Sequence, residues 1–594
     1  MFIGLKQKIK GPGNASIYIF LPDHSGTLPS RAFYDTQRFH MRTHTLAKLL
    51  SLLFLLIFVK TAGAQEQEFT HDDTLRGSIT PQRAWWDLTF YDLKVNVNIA
   101  DKTISGNNTI YYKVLNSSNL LQIDLQPPMR IEKAEQDGKT LEVQQAGANA
   151  YFIVLQKQQP VGSAQSVTVW YSGKPREAVH APWDGGFSWA KDEKGQPFVA
   201  TSCQGLGSSI WWPCKDHMYD EPDSQSISIT VPKGLMDVSN GRLRSTKTNA
   251  DGTTTYEWFV SSPINNYGVN VNIANYVHWG ETYAGEKGPL TLDYYVLPQN
   301  LEKSKSQFKQ APMMMKALEH WFGPYPFYED GYKLVDVPYL GMEHQSSVTY
   351  GNAYRNGYLG MDLSGTGWGK KFDFIIIHES AHEWFANNIT YKDIADMWIH
   401  EGFANYSEGL YTEYYFGKKA GAEYTRGVRS NIQNKAPIIG SYDVNSEGSL
   451  DMYYKGGNLL HTIRQIVNDD EKWRNILRGL GKEFYHQVVT TAQIENYISL
   501  HAGRNLQKVF DQYLRSTNIP VLQYRFTKGK VEYRWSDCVD GFDMPVKVTL
   551  KKDVYEMIYP TTEWKSSPIK LGKKGKFMVD EDFYVFSEML TTGK

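Results

Sequence analysis

Two histidines with a glutamate between them stand in the segment FDFIIIHESAHEWF, residues 372–385. His378 and His382 are four positions apart, so on a helix both imidazoles point from one face and can grip one cation. Glu379 follows His378 directly and falls beside that cation, where its carboxylate can take a proton from an attacking water. This is the pattern of a zinc site that hydrolyses peptides. A catalytic zinc ion takes three protein ligands and keeps a fourth position for water. Glu401 supplies a third ligand from the segment ADMWIHEGFANYSE, with eighteen residues between it and His382. The spacing predicts two antiparallel helices that meet at the metal. A surface helix bearing the same residues is a poor alternative, because the flanking Phe, Ile and Trp side chains demand burial. Glu408 lies seven residues after Glu401 on the same helix face. It is either an acceptor that orients a zinc-bound histidine or a solvated helix charge, and the sequence leaves both open.

These helices need a frame. From Trp85 to Pro298 apolar residues alternate at period two, as in Leu93, Val95, Val97 and Ile99, then Ile110, Tyr112 and Val114, then Ile227, Ile229 and Val231. Asp137-Gly138 and Asp251-Gly252 punctuate the strands. The pattern predicts a large N-terminal antiparallel β domain with one buried face, residues 85–298. Helical periods follow over 299–519. Met313 to Trp321 forms one stripe ending at Gly323-Pro324, and Thr490 with Gln493 forms a capping box. Leu459, Leu460, Ile463, Ile466 and Val467 form another stripe, as do Leu506, Val509, Phe510, Tyr513 and Leu514. Residues 520–594 return to alternation at Val546, Val548 and Leu550, which predicts a small C-terminal β-sandwich. The class is multidomain α+β.

A chain of 594 residues is too long for one core. Its formal net charge of −1 disfavours a nucleic-acid partner, which would need clustered Lys and Arg. Cys203, Cys214 and Cys538 give no disulfide framework, although Cys203 and Cys214 could pair in an oxidising compartment. Residues 41–64, MRTHTLAKLLSLLFLLIFVKTAGA, combine a basic start, a short apolar run and a small-residue cleavage site at Ala62-Gly63-Ala64. They read as a secretory signal peptide. Translation is then expected to start at Met41, with residues 1–40 a mis-called extension. The mature chain would begin near Gln65 with a linker to residue 84, exported to the periplasm or secreted, with no stable membrane anchor.

HESAHEWF followed by Glu401 in WIHEGFANYSE resembles the aminopeptidase N and leukotriene hydrolase family of gluzincins. Leu340-Gly341-Met342-Glu343-His344 resembles that family's GAMEN exopeptidase motif, and Tyr453-Tyr454-Lys455-Gly456 its YxKG segment. Cys203-Gln204, Trp212-Pro213-Cys214 and Asp220-Glu221-Pro222-Asp223 resemble its N-terminal signature. The likeness runs from about residue 85 to about residue 520. It implies a thermolysin-like, mainly helical catalytic domain, one zinc ion per chain and peptide substrates. It implies that Glu343 binds a free α-amine, that Tyr453 donates to the developing oxyanion, and that Gly341 and Met342 lie along a strand that pairs with substrate. Gln204 is implied as a cleft residue. Departures are Leu340-Gly341 for Gly-Ala, His344 for Asn, and His400 before the third ligand. The family's long helical C-terminal domain has no counterpart, so a more open site admitting longer peptides is expected. Two rivals remain: another hydrolase, either an endopeptidase or an epoxide hydrolase, and a binding scaffold that has lost catalysis.

Overall fold

The computed structural model describes residues 68–591 except 573 and 574, so the signal segment and the extension before it lie outside the described residues. The period-two alternation of the N-terminal region folds into a ten-stranded sheet centred on strands Trp86–Asn98, Thr103–Val114 and Ala164–Gly173. Leu93, Val95 and Val97 face its core while Lys94, Asn96 and Asn98 face water. One pair departs from the expected antiparallel order: Trp86–Asn98 runs parallel to Ser224–Val231, with Val95 opposite Ile229. Alternation reports which face is buried and is blind to strand direction. A second sheet orders Met236–Val238, Asn272–Ala274, Pro197–Ser202 and Gly186–Lys191. The buried Trp211 and Trp212 belong to the core of this region.

The hairpin Val277–Gly285 and Gly288–Val296 belongs to a third, mixed sheet rather than to the first two. That sheet continues through Tyr332–Asp336 and Val348–Tyr350 to its edge strand, Gly341–Met342. Gly341 pairs with Tyr350 and Met342 with Thr349. Within the mostly helical stretch 299–519, residues 332–350 are largely strand and turn, with Gly341 and Met342 on the edge strand. Its strands span only two to five residues, too few for a period to register.

Five helices matter to the site: α1 (Gln310–Phe322), α2 (Phe374–Ala381), α3 (Trp398–Phe416), α4 (Lys418–Gly427) and α5 (Tyr454–Val467). The Thr490/Gln493 capping box is present at the start of Thr491–Ala502. C-terminal strands form a four-stranded sheet and a separate hairpin, Val546–Lys551 with Val554–Ile558. Their buried residues Leu522, Trp535 and Val548 share one continuous core with the catalytic helices. Cys203 and Cys214 are buried and unbonded, and Cys538 is half-buried and unbonded. Among the described residues no helix is long and apolar enough to cross a membrane.

Candidate active site

Asp373 starts α2 by accepting the backbone N–H groups of Ile375 and Ile376. The same carboxylate accepts from the Tyr350 hydroxyl at 2.7 Å, which fastens the helix to the third sheet. Every residue of α2 is buried, so the Ile side chains fix its rotation and leave His378 and His382 no other face to choose. After His382 the helix unwinds, with Phe385 outside helical geometry. That turn points the Phe385 carbonyl at Nδ1 of His382, 3.0 Å away. Nδ1 of His378 faces Oε1 of Glu408 at 2.8 Å. A carbonyl or carboxylate only accepts, so each Nδ1 carries a proton, and Nε2 is the nitrogen left to face a metal.

Both Nε2 atoms face Oε2 of Glu401, each at 3.5 Å. Oε2 of Glu401 is buried and has no hydrogen-bond partner. Three ligand atoms thus converge on one point. A tetrahedral zinc ion with arms of about 2.1 Å has ligand–ligand edges of about 3.4 Å, so the residues fit this metal. The electrostatics agree. Burial alone would raise the Glu401 pKa, but His382 and His378 hold it well below the usual carboxylate range. Burial alone would lower His378, yet Glu401 and Glu408 carry it well above the ordinary histidine value. The cluster is built to hold positive charge.

Helix α3 presents Glu401 and Glu408 on one buried face. Glu408 is held in turn by the Tyr424 hydroxyl of α4 at 2.6 Å and by Nδ2 of Asn405 at 3.2 Å. It orients His378 and is no solvated charge. Helix α5 crosses α3 at two glycines. A Cβ on Gly456 would lie 3.0 Å from the Gly402 Cα, so a side chain there would push the two helices apart. The crossing sets Tyr453, at the mouth of α5, with its ring 6.1 Å from the His378 ring. Burial first, then Glu401, Glu343 and Glu379, push the Tyr453 phenol well above its usual pKa, so it stays a donor. His400 turns away, accepting from the Tyr391 N–H at 3.0 Å.

The edge strand runs beside α2. A Cβ on Gly341 would meet the Ile375 side chain at 2.6 Å and Glu379 Cγ at 3.3 Å, which explains why glycine stands there. Met342 is buried next to it. Glu343 follows, with a carboxylate oxygen that lies within 4.8 Å of ligand atoms of Glu379 and His382. It accepts from Nε2 of Gln204 at 2.7 Å and from the Tyr267 hydroxyl at 3.1 Å. Gln204 also donates to Glu401 Oε1 at 2.9 Å, so one amide spans the carboxylate beside the cleft and the metal ligand. Burial raises Glu343, against the pull of His382. Burial likewise raises Glu379, to about 7, against the pull of His378. His344 is buried with Nε2 at 3.1 Å from the Thr201 carbonyl.

The structure brings His378, His382, Glu401, Glu379, Glu343 and Gln204 together, with Glu408 behind His378 and the Tyr453 ring beside it. Three others were missed. Tyr267 and Tyr424 lie far along the chain from their partners and carry no local signal. Asn387, whose Nδ2 holds the Glu343 carbonyl at 2.9 Å, sits five residues after His382, and only its closeness to the motif could have marked it.

Fold and site together define a zinc metallopeptidase architecture, and comparison with known proteins agrees. The Peptidase family M1 domain matches residues 307–513 and the Peptidase M1 N-terminal domain matches residues 88–267. The chain belongs to the M1 peptidase family. Endoplasmic reticulum aminopeptidase 1 of Rattus norvegicus is 23% identical over 66% of this chain and 44% of its own length. Aminopeptidase N of Lactobacillus helveticus is 22% identical over 84% of this chain and 61% of its own length. The chain thus spans about half the length of the curated relatives it matches. An M1 zinc metallopeptidase from Deinococcus radiodurans shares the fold with a TM-score of 0.61 at 19% identity, covering 74% of this chain and 95% of the other.

Proposed function

We propose that this chain is a zinc aminopeptidase that releases single residues from the free N-terminus of peptides. The observation that carries it is the placement of Glu343 within 4.8 Å of Glu379 and His382. In a peptide the α-nitrogen lies about 2.5 Å from the carbonyl carbon of its own residue. A buried carboxylate this close to the hydrolytic centre pairs with an ammonium only when the scissile bond is the first one. Gln204 and Tyr267 steady that carboxylate by hydrogen bonds.

Bound zinc supplies a Lewis acid for the scissile carbonyl and lowers the pKa of water to about 7. Glu379 accepts the proton of the attacking water and hands it to the leaving amine. Tyr453 donates to the oxygen on which negative charge develops, and a donor already aimed there costs no reorganisation. Gly341 and Met342 offer edge-strand backbone to the substrate chain. The relatives named as aminopeptidases support this reading. So do neighbouring Deinococcus radiodurans and related M1 structures described as bound to a Tyr-Ser-Ala substrate and to L-tryptophan. The signal pattern at residues 41–64 supports export.

The test is product analysis by mass spectrometry on the zinc-loaded chain from Gln65 onward. One peptide set carries free N-termini and a second is N-acetylated. Single-residue release from the free set alone is expected. Equal cleavage of both sets would make the enzyme an endopeptidase.

A further inference from the structure

The segment His71–Ala84 precedes both matched family regions, which begin at residues 88 and 307. It nevertheless packs on the loop that presents Gln204. That loop, Cys203–Gly207, contains two left-handed glycines, Gly205 at φ +78° and Gly207 at φ +81°. The loop is closed by the Gly207 N–H to the Cys203 carbonyl and the Leu206 N–H to the Gln204 carbonyl, and because its glycine backbone adds little stiffness, a grip from outside helps set the aim of Gln204. Arg76 grips it. Its Nη2 donates to the Leu206 carbonyl at 3.0 Å, and its Nη1 lies 3.0 Å from Asp216 Oδ2 and donates to the Asp216 carbonyl. A Cβ on Gly207 would fall 2.0 Å from Arg76 Nη2 and 2.3 Å from Asp216 Oδ2. The loop is therefore moulded onto this ion pair. Gln126 adds a second donor to the Leu206 carbonyl at 2.8 Å.

The same helix also touches the catalytic region. A Cβ on Gly77 would fall 2.0 Å from the Asn445 nitrogen, and Asn445 Nδ2 donates to the Gly205 carbonyl at 3.3 Å. Arg83 anchors the helix from beneath, donating to the Arg76 and Ser78 carbonyls and pairing with the buried Asp124 at 2.7 Å. The helix thus meets the Gln204 loop from one side and the 444–445 backbone from the other.

We propose that His71–Gly77 is a clasp and that Arg76 is a positioning residue for Gln204, and through it for the recognition of the substrate amine. The inference rests on the aminopeptidase reading for its consequence in turnover, though not for its structural content. Arg76 touches none of His378, His382, Glu401 and Glu343, so its loss acts on the site only through Gln204, whose amide donates to Glu343 and to Glu401.

Arg76→Ala, Arg76→Lys and Gly77→Ala are compared with the zinc-loaded wild-type chain. Gly77→Ala leaves the Arg76 side chain intact and forces the clasp off the 444–445 backbone, which covers the case in which Arg76→Ala fails to fold. Two quantities are read: KM and kcat on peptides with free N-termini, and hydrogen exchange of residues 203–207 against residues 374–382. Arg76→Ala is expected to raise KM about tenfold with kcat nearly unchanged, as loss of a supporting contact does. Exchange should quicken in 203–207 only, and the metal content should stay at one per chain. Gly77→Ala should move both readings in the same direction, and Arg76→Lys should fall between. Unchanged KM and unchanged exchange in both Arg76→Ala and Gly77→Ala would overturn the clasp. Exchange needs no turnover. A wild-type chain that cleaves acetylated peptides equally well would sink the aminopeptidase reading, and quickened exchange at 203–207 would still establish the clasp.

Discussion

The imidazole Nδ1 of His378 and the carboxylate of Glu408 meet at 2.8 Å on two different buried helices. Glu408 accepts at the same time from Tyr424 and Asn405, so it cannot swing to another partner. This bond fixes which ring nitrogen of His378 keeps its lone pair and raises the basicity of that nitrogen. Glu408→Ala should weaken zinc binding by about 10- to 100-fold. Glu408→Gln keeps an acceptor oxygen and should lose less. Competition for zinc against a chelator of known affinity measures both. Equal affinity in wild type and Glu408→Ala would show that the bond does not tune the metal.

Glu379 contributes no ligand atom to the triad of His378, His382 and Glu401. Glu379→Gln removes a base and leaves those three atoms untouched. It should keep one zinc per chain while kcat falls by about 10²- to 10⁴-fold, the usual worth of a positioned base. Metal analysis beside steady-state kinetics checks this. Turnover at the wild-type rate would remove Glu379 from proton transfer.

The C-terminal strands are fastened to the catalytic helices through Asp582. Its carboxylate accepts from Arg426 and lies 3.5 Å from His461 Nε2. Burial alone would raise the Asp582 pKa, but His461 and Arg426 outweigh it and hold the value below the ordinary one. The sign follows from linkage. A carboxyl with a depressed folded-state pKa contributes its stability in full above the unfolded value of about 3.9, and loses it as pH falls through the folded value. Asp582→Asn should therefore unfold at lower temperature than wild type at pH 7. That gap should narrow below about pH 4. Calorimetry at pH 7 and in the acid range decides, and a gap independent of pH would exclude an ionic role.

The metal triad was legible because helical spacing alone places His378 and His382 on one face and the burial demand of Ile375, Ile376 and Ile377 excludes a surface helix. Glu343 and Tyr453 were legible only through resemblance, since no local period marks a strand of two residues or the residue that opens a helix. Tyr267 and Arg76 were not legible. Tyr267 reaches Glu343 across 76 positions and Arg76 reaches Leu206 across 130, and such contacts are made by the tertiary fold rather than by neighbours. The hairpin 277–296 shows the same limit. Its alternation marks strands correctly, but cannot say which sheet they join.

In the proposed function, Glu343 selects a free α-amine for a zinc-activated attack on the first peptide bond. The most direct measurement compares kcat/KM on one peptide with a free N-terminus and on its N-acetylated form, for wild type and for Glu343→Ala. Wild type should prefer the free form by about 100-fold or more, the worth of a buried charge-assisted bond, and Glu343→Ala should lose most of that preference through its rate on the free form. A wild-type enzyme indifferent to acetylation, or a variant that keeps the full preference, would contradict the account.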